Sequence, residues 1–292
     1  MKPLGSYKNG NYTVTLFDDG TKVRQNDADF FAPEKPESID IKITNRCDMG
    51  CPMCHEDSTT TGEHADILDI PFFDTLLPYT ELAIGGGNPL EHPRLADFLK
   101  RCRSGKLIAN MTVHQKHFVK QQFYIKLLSD NLLIHGLGVS VTKVDDELIS
   151  LLSEYPNAVV HVIAGVITME ELRKLYDHNL KVLILGYKDF RRGVTAHSPI
   201  TDLRMDEMYD ELPEMLKRFH TVSFDNLAIK QLNVKRLMNE DEWEKFYMGD
   251  DGQFTMYIDM VKREFAKSST STERWPITDD IKTMFEKVRS GA

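Results

Sequence analysis

The sequence predicts an α/β fold built on a parallel sheet. Between Ser38 and Phe224, short apolar runs of strand length alternate with amphipathic stretches of helical period, at least six times over. Strands so far apart are joined by crossovers rather than hairpins, which places them parallel. A hydrophobic content of 41% over 292 residues supports a sizeable core, in one large domain or two small ones.

The elements follow in order. Residues 12–17 and 22–24 flank Asp18-Asp19-Gly20-Thr21, an Asp/Gly turn between extended runs, which predicts a hairpin. Residues 26–37 are polar and carry prolines, so they read as a connector. Strands are predicted at 38–44, 81–84, 107–113, 137–141, 158–163 and 181–185, with 221–224 extended. Helices are predicted at 67–77, 93–103, 120–128, 146–154, 169–176 and 205–220. Pro93 suits a first helical position, and Asp145 suits an N-cap. Thr168 with Glu171 reads as a capping box.

The rhythm then breaks. Residues 232–247 are acidic and helical in pattern. Residues 254–260 alternate as a strand, with Gln253, Thr255, Tyr257 and Asp259 on one side. Residues 267–272 are rich in Ser and Thr and read as mobile, and Thr278 reads as the cap of a last helix, 279–288. The division is therefore 1–36, an N-terminal hairpin and connector; 37–224, the core; and 225–292, a C-terminal extension that closes the sheet or contacts substrate.

The formal charge is −9, which argues against binding nucleic acid chiefly through phosphates. No apolar run approaches the roughly 18 to 20 residues that cross a bilayer. The first ten residues lack the apolar stretch of a signal peptide. A cytoplasmic location is the default expectation.

Three of the four cysteines, Cys47, Cys51 and Cys54, fall within eight residues. This is no disulfide framework for a chain of this size. Their spacing, C-x3-C-x2-C, follows the strand 38–44 directly, and Gly50 and Pro52 suit a loop that curls around a metal centre. Soft thiolates select iron–sulfur or zinc. A structural zinc with His55 as fourth ligand is the plainer alternative, although its adjacency to Cys54 makes joint ligation awkward. Cys102, inside a predicted helix, reads as a buried, inert thiol. Three thiolates on a four-iron cluster leave one iron open to substrate or cofactor.

The run Thr44-Asn45-Arg46-Cys47-x3-Cys51-x2-Cys54 resembles the radical S-adenosylmethionine superfamily. The resemblance implies a partial (β/α)6 TIM-like barrel with ligand sites at its C-terminal rim. It implies that Cys47, Cys51 and Cys54 hold a [4Fe–4S] cluster and that S-adenosylmethionine chelates the fourth iron. Reductive cleavage then gives a 5′-deoxyadenosyl radical that takes hydrogen from a substrate, in an oxygen-sensitive enzyme. Met53 stands where the family usually has an aromatic residue. Gly86-Gly87-Asn88-Pro89 resembles the Gly-Gly-Glu-Pro motif that binds the methionyl amino group, with Asn88 in place of Glu. Further cofactor contacts implied at later strand ends are His114, Ser140, Lys143, Gly165, Leu185 and Gly186.

No Cys follows Cys102, which excludes an auxiliary cluster held by cysteines of this chain. The electron would come from a reduced flavodoxin or ferredoxin, docking near Arg46, Lys100 or Lys106. A peptide or protein is the favoured substrate, and a small molecule or nucleotide the alternative. A non-catalytic metal-binding interaction protein is the contrasting class. Lys188, Arg191, Asp225, Tyr257 and Asp259 are substrate-side candidates without assigned roles.

Overall fold

The computed structural model describes residues 1–291. Its N-terminal strands β1 (Pro3–Asn9), β2 (Tyr12–Phe17) and β3 (Lys22–Gln25) form an antiparallel sheet in that order. The predicted hairpin is β2–β3. The additional β1 escaped notice because its sequence, PLGSYKN, carries few strand formers. Glu37 ties this sheet to the rest of the chain: it accepts from Tyr12 Oη at 2.6 Å and pairs with Arg24 at 2.8 Å.

The main chain continues through β4 (Ser38–Thr44), β5 (Glu81–Gly86), α1 (Leu95–Ser104), β6 (Ile108–His114), α2 (Gln115–Lys120) and α3 (Gln122–Asp130). Next come β7 (Gly136–Ser140), α4 (Asp146–Ser153), β8 (Ala158–Ile163), α5 (Met169–Arg173) and β9 (Lys181–Leu185). After these follow α6 (Arg192–Ala196), α7 (Pro199–Arg218), β10 (Thr221–Phe224), α8 (Asn226–Gln231) and α9 (Glu240–Phe246). The last elements are β11 (Thr255–Asp259), β12 (Glu264–Ala266), β13 (Trp275–Pro276) and α10 (Ile281–Ser290).

One sheet runs in the order β10-β9-β8-β7-β6-β5-β4-β11-β12-β13. Every pairing from β10 to β11 is parallel, so the six core strands are extended by β10 on one side and β11 on the other. The result is the partial β/α barrel expected, with an N-terminal sheet beside it. The two outer parallel strands are not paired to each other; Asn226 Nδ2, just past β10, reaches Asp251 Oδ1, just before β11, at 2.7 Å.

Parallel strands covered on both faces read as continuous apolar runs. These strands alternate instead. Ile39, Ile41 and Ile43, Leu82 and Ile84, Val160 and Val162, and Val182 and Ile184 are buried in the main core. Their alternate neighbours, including Asp40, Lys42, Thr112, Ser140 and His161, face the other, concave side. The alternation marks a sheet with a packed outside and a polar inside.

Several boundaries differ from expectation. No α-helix forms at 67–77: Pro71 removes an N–H and leaves Ile70 extended (φ −131°), so only a 3-10 turn at Pro71–Thr75 remains. The helix placed at Pro93 starts at Leu95, and the one placed at 120–128 is two helices meeting at Gln121. Asp145 and Thr168 do cap α4 and α5. Glu171 does not complete a capping box, because its carboxylate accepts from Val144 N at 2.6 Å and from Lys174 at 2.7 Å. The predicted helix 205–220 starts earlier, at Pro199, behind a Ser198/Thr201 capping box. The stretch 232–247 is interrupted by Asn233 in the left-handed region (φ 44°). Residues 267–272 are held by hydrogen bonds among Ser268, Thr270 and Ser271, with Ser269 buried. The last helix is capped by Asp280, not Thr278. Cys102 is fully buried, and burial pushes its thiol up to about 12.

Candidate active site

The cysteine loop leaves the C-terminal end of β4 and is closed at its base by backbone bonds. Cys47 N donates to Thr59 O at 2.8 Å, Thr59 N to Asn45 O at 3.1 Å, and Asn45 N to Glu63 O at 2.8 Å. Cys47, Cys51 and Cys54 are all half-buried. Burial raises the thiols of Cys47 and Cys51, and the other loop thiols raise them further by mutual repulsion. Three half-buried thiols on one loop fit a thiolate-ligated cluster, whose binding would supply positive charge beside them. Among the described residues, the group that brings three ligand atoms within 4.8 Å of one another is Cys47, Asp48 and His117; Cys51 and Cys54 are not part of it. His55 is not in that group. Its Nε2 lies 3.2 Å from Lys188 Nζ and 3.4 Å from Glu56 Oε1.

The Gly-rich turn docks against the root of this loop. Gly87 N donates to Thr44 O at 2.8 Å, and Asn88 N to Arg46 O at 2.7 Å. Gly86 has φ 106°, and a Cβ on Gly86 or Gly87 would collide with the Thr44 or Arg46 carbonyl. The two glycines therefore serve the approach of two chain segments, a reason the sequence alone did not reveal. Asn88 is buried. Its Oδ1 accepts from Leu90 N at 3.2 Å and its Nδ2 donates to Glu91 at 3.3 Å, at the start of the 3-10 turn Pro89–Glu91. One lone pair of the amide oxygen is thus already used.

The other sequence-derived positions divide into two groups. In register across the sheet, His114 pairs with Ser140, Ser140 with His161 and His161 with Leu183. Those side chains share one level of the concave face, and Leu185 lies on the same face one step toward the rim. The second group points elsewhere. Lys143 is exposed, and its backbone rather than its ammonium is held, by Gln115 at 2.7 and 3.1 Å. Gly165 (φ 79°) makes room for Thr201 of α7, and Gly186 for Leu227 and Ala228 of α8. The Met53 carbonyl faces Gly193.

Two features of the concave face went unrecognised. The first is His161. Burial alone drives its pKa down to about 4, and Gly138 on the neighbouring strand leaves the space that its ring occupies. His114 is likewise lowered to about 4, first by burial and then by His117 and Lys116. Both rings are neutral at pH 7. A lone His in the apolar run AVVHVI was the available signal.

The second is a charged hub around Glu56. Lys42 Nζ lies 2.9 Å from Glu56 and 3.3 Å from Asp259, and Tyr257 Oη donates to Glu56 at 3.0 Å. Arg191 Nη1 donates to the Glu56 carbonyl at 3.0 Å, from a residue with φ 51°. Burial opposes ionisation of Glu56, but its hydrogen bond with His55 and the Lys42 charge outweigh it and hold the carboxyl low. His55 is pushed down to about 4, by burial first and the Lys188 ammonium second. Lys188 Nζ also donates to Ser269 Oγ at 2.9 Å, and Arg192 reaches Ser58 O at 2.7 Å. The loop after β9 thus grips the far end of the cysteine loop. Asp225 caps α8 and accepts from Gly186 N at 2.9 Å, so it is occupied within the fold. Asp40 stays exposed to solvent, yet the surrounding protein raises its carboxyl to about 6, against the pull of Lys188 and with help from Asp251 and Asp225.

No protein-family model matches the chain, and no curated protein matches it in sequence. The fold does match solved structures of SuiB from Streptococcus suis. SuiB bound to the precursor peptide SuiA superimposes with a TM-score of 0.55 at 13% identity, covering 88% of this chain. SuiB bound to S-adenosylmethionine gives 0.55 at 14% identity over 87%. The chain spans 64% of the SuiB length in both. The chain therefore shares the partial β/α barrel fold of a protein that has been crystallised with S-adenosylmethionine and with a peptide.

Proposed function

We propose that this chain is a radical S-adenosylmethionine enzyme acting on a peptide or protein. The observation that carries the reading is the position of the three thiols: one loop, directly after the first strand of the barrel, at the rim of a polar concave face. Cys47, Cys51 and Cys54 would hold a [4Fe–4S] cluster, which together with S-adenosylmethionine supplies a 5′-deoxyadenosyl radical for hydrogen abstraction. The chain's own part is to bind and orient. His114, Ser140 and His161 offer neutral hydrogen-bonding groups to a polar, uncharged portion of a ligand. Leu185 offers an apolar surface beside them. The remaining Asn88 lone pair suits one donor from the methionyl amino group. The fold shared with a peptide-bound structure supports the substrate class.

A one-electron donor such as flavodoxin or ferredoxin would dock near the loop. Lys106 precedes β6 and so lies at the opposite rim, about 20 Å away for a strand of this length. Lys100 lies in the second half of α1 and pairs with Asp97. Arg46, paired with Glu91, sits at the root of the cysteine loop, closer to the site than Lys100 or Lys106. Lys116, Lys120 and Arg192 join it, since their charges act on Cys51 and Asp48.

The test is anaerobic reconstitution, dithionite reduction and addition of S-adenosylmethionine, with chromatography for 5′-deoxyadenosine. Formation above a Cys51→Ala control is the expected result. A verified, reduced cluster that neither binds nor cleaves S-adenosylmethionine overturns the reading.

A further inference from the structure

We propose that Asp48 and His117 form a positioning pair that orients Cys47 and makes the metal centre on its loop harder to reduce. The proposal rests on reading that loop as a [4Fe–4S] site. Asp48 is the first spacer residue after Cys47, and its Oδ1 lies 2.6 Å from His117 Nε2. A carboxylate only accepts, so Nε2 carries the proton.

The partners are unequal. His117 is 4% exposed in its side chain, while Asp48 is 45% exposed. The fixed member belongs to α2, which follows β6 directly, whereas the loop springs from β4. The pair therefore pins the loop to a second barrel element. Cys47 is already held through its backbone to Thr59. With the next side chain pinned as well, the thiol has little freedom to swing, as with outer partners that orient metal ligands generally.

The charge acts separately. A carboxylate oxygen lies within 4.8 Å of the Cys47 sulfur. Reduction adds an electron, and a nearby negative charge disfavours it; net charge and hydrogen bonding set such potentials. Removing the charge while keeping the shape should ease reduction.

The experiment uses the full chain, reconstituted anaerobically as wild type, Asp48→Asn, His117→Gln and His117→Phe. Iron content, release of iron to a chelator, and a potentiometric titration followed by electron paramagnetic resonance are measured. Asp48→Asn should keep its iron and show at least a threefold higher reduced-to-oxidised ratio at fixed potential, about 28 mV for a one-electron couple. His117→Phe should lose iron to the chelator faster, and His117→Gln, which keeps a donor, should partly restore resistance. Unchanged potential and unchanged release in all three variants overturn the pair. If Asp48→Asn cannot hold iron, His117→Gln decides: wild-type release and potential there also overturn it, and faster release supports it. A wild-type chain that assembles no four-iron cluster refutes the site reading instead.

Discussion

The two walls of the concave face differ in what their polar groups already do. On the β11–β4 side, Lys42, Glu56, Tyr257 and Asp259 are buried and pair with one another, although Asp259 Oδ2 has only the Lys42 ion pair. On the β6–β8 side, His114, Ser140 and His161 are only partly buried and uncharged. The first wall spends its charges internally and so serves architecture. The second keeps hydrogen-bonding capacity for a ligand. On the proposed reading, a ligand would meet this neutral wall rather than the charged one.

The largest effect that separates the walls should come from Glu56→Ala. It leaves Lys42 buried with only Asp259, which costs about 3 to 5 kcal/mol, read as a lower denaturant midpoint. A loss below about 1 kcal/mol would mean that the charged wall is not structural. Tyr257→Phe should cost about 1.5 to 3 kcal/mol, since it deletes a hydrogen bond to a charged group. Its effect should shrink in a Glu56→Gln background, which a double-mutant cycle would reveal.

Ser140→Ala probes the other wall. Stability should stay within about 0.5 kcal/mol, while S-adenosylmethionine binding to the reconstituted protein weakens by about 0.5 to 1.5 kcal/mol in calorimetry. Equal losses in stability and binding would erase the contrast.

The smallest effect is in pH dependence. His161 is depressed from 6.5 to about 4, so its contribution to stability is present above 6.5 and is lost as pH falls toward 4. Asp40 is raised from 3.8 to about 6, so its contribution is present below 3.8 and is lost as pH rises toward 6. His161→Gln should flatten the rise of stability between pH 4 and 6.5, and Asp40→Asn should steepen it. Each change is bounded by about one proton. Stability measured at several pH values checks both signs.

Local pattern made much of this legible. The six core strands are short, largely apolar segments of strand length, and the three cysteines lie within one short stretch of sequence. Asp145, Thr168 and Cys102 behave as their own neighbourhoods dictate. What stayed hidden depends on distant partners. Tyr257 and Asp259 were seen to share a face, but nothing local says that the face lies against β4. The reason for Gly86 and Gly87 lies in the carbonyls of Thr44 and Arg46. The reach of Arg191 to Glu56 spans 135 positions. The charges of Asp40 and Lys42 within SIDIKIT were the available hint that one side of β4 is wet.

The pairing of Tyr257 with Glu56, 201 positions apart, also sets a clock. A ribosome adding about 5 to 20 residues per second needs on the order of 10 to 40 s to make that interval. Throughout it Cys47, Cys51 and Cys54 already exist without the strand that buttresses the end of their loop. Iron delivered during synthesis would meet a half-built cradle. On the proposed reading of that loop as a [4Fe–4S] site, nascent chains stalled before Thr255 should take up less iron than the released, full-length chain.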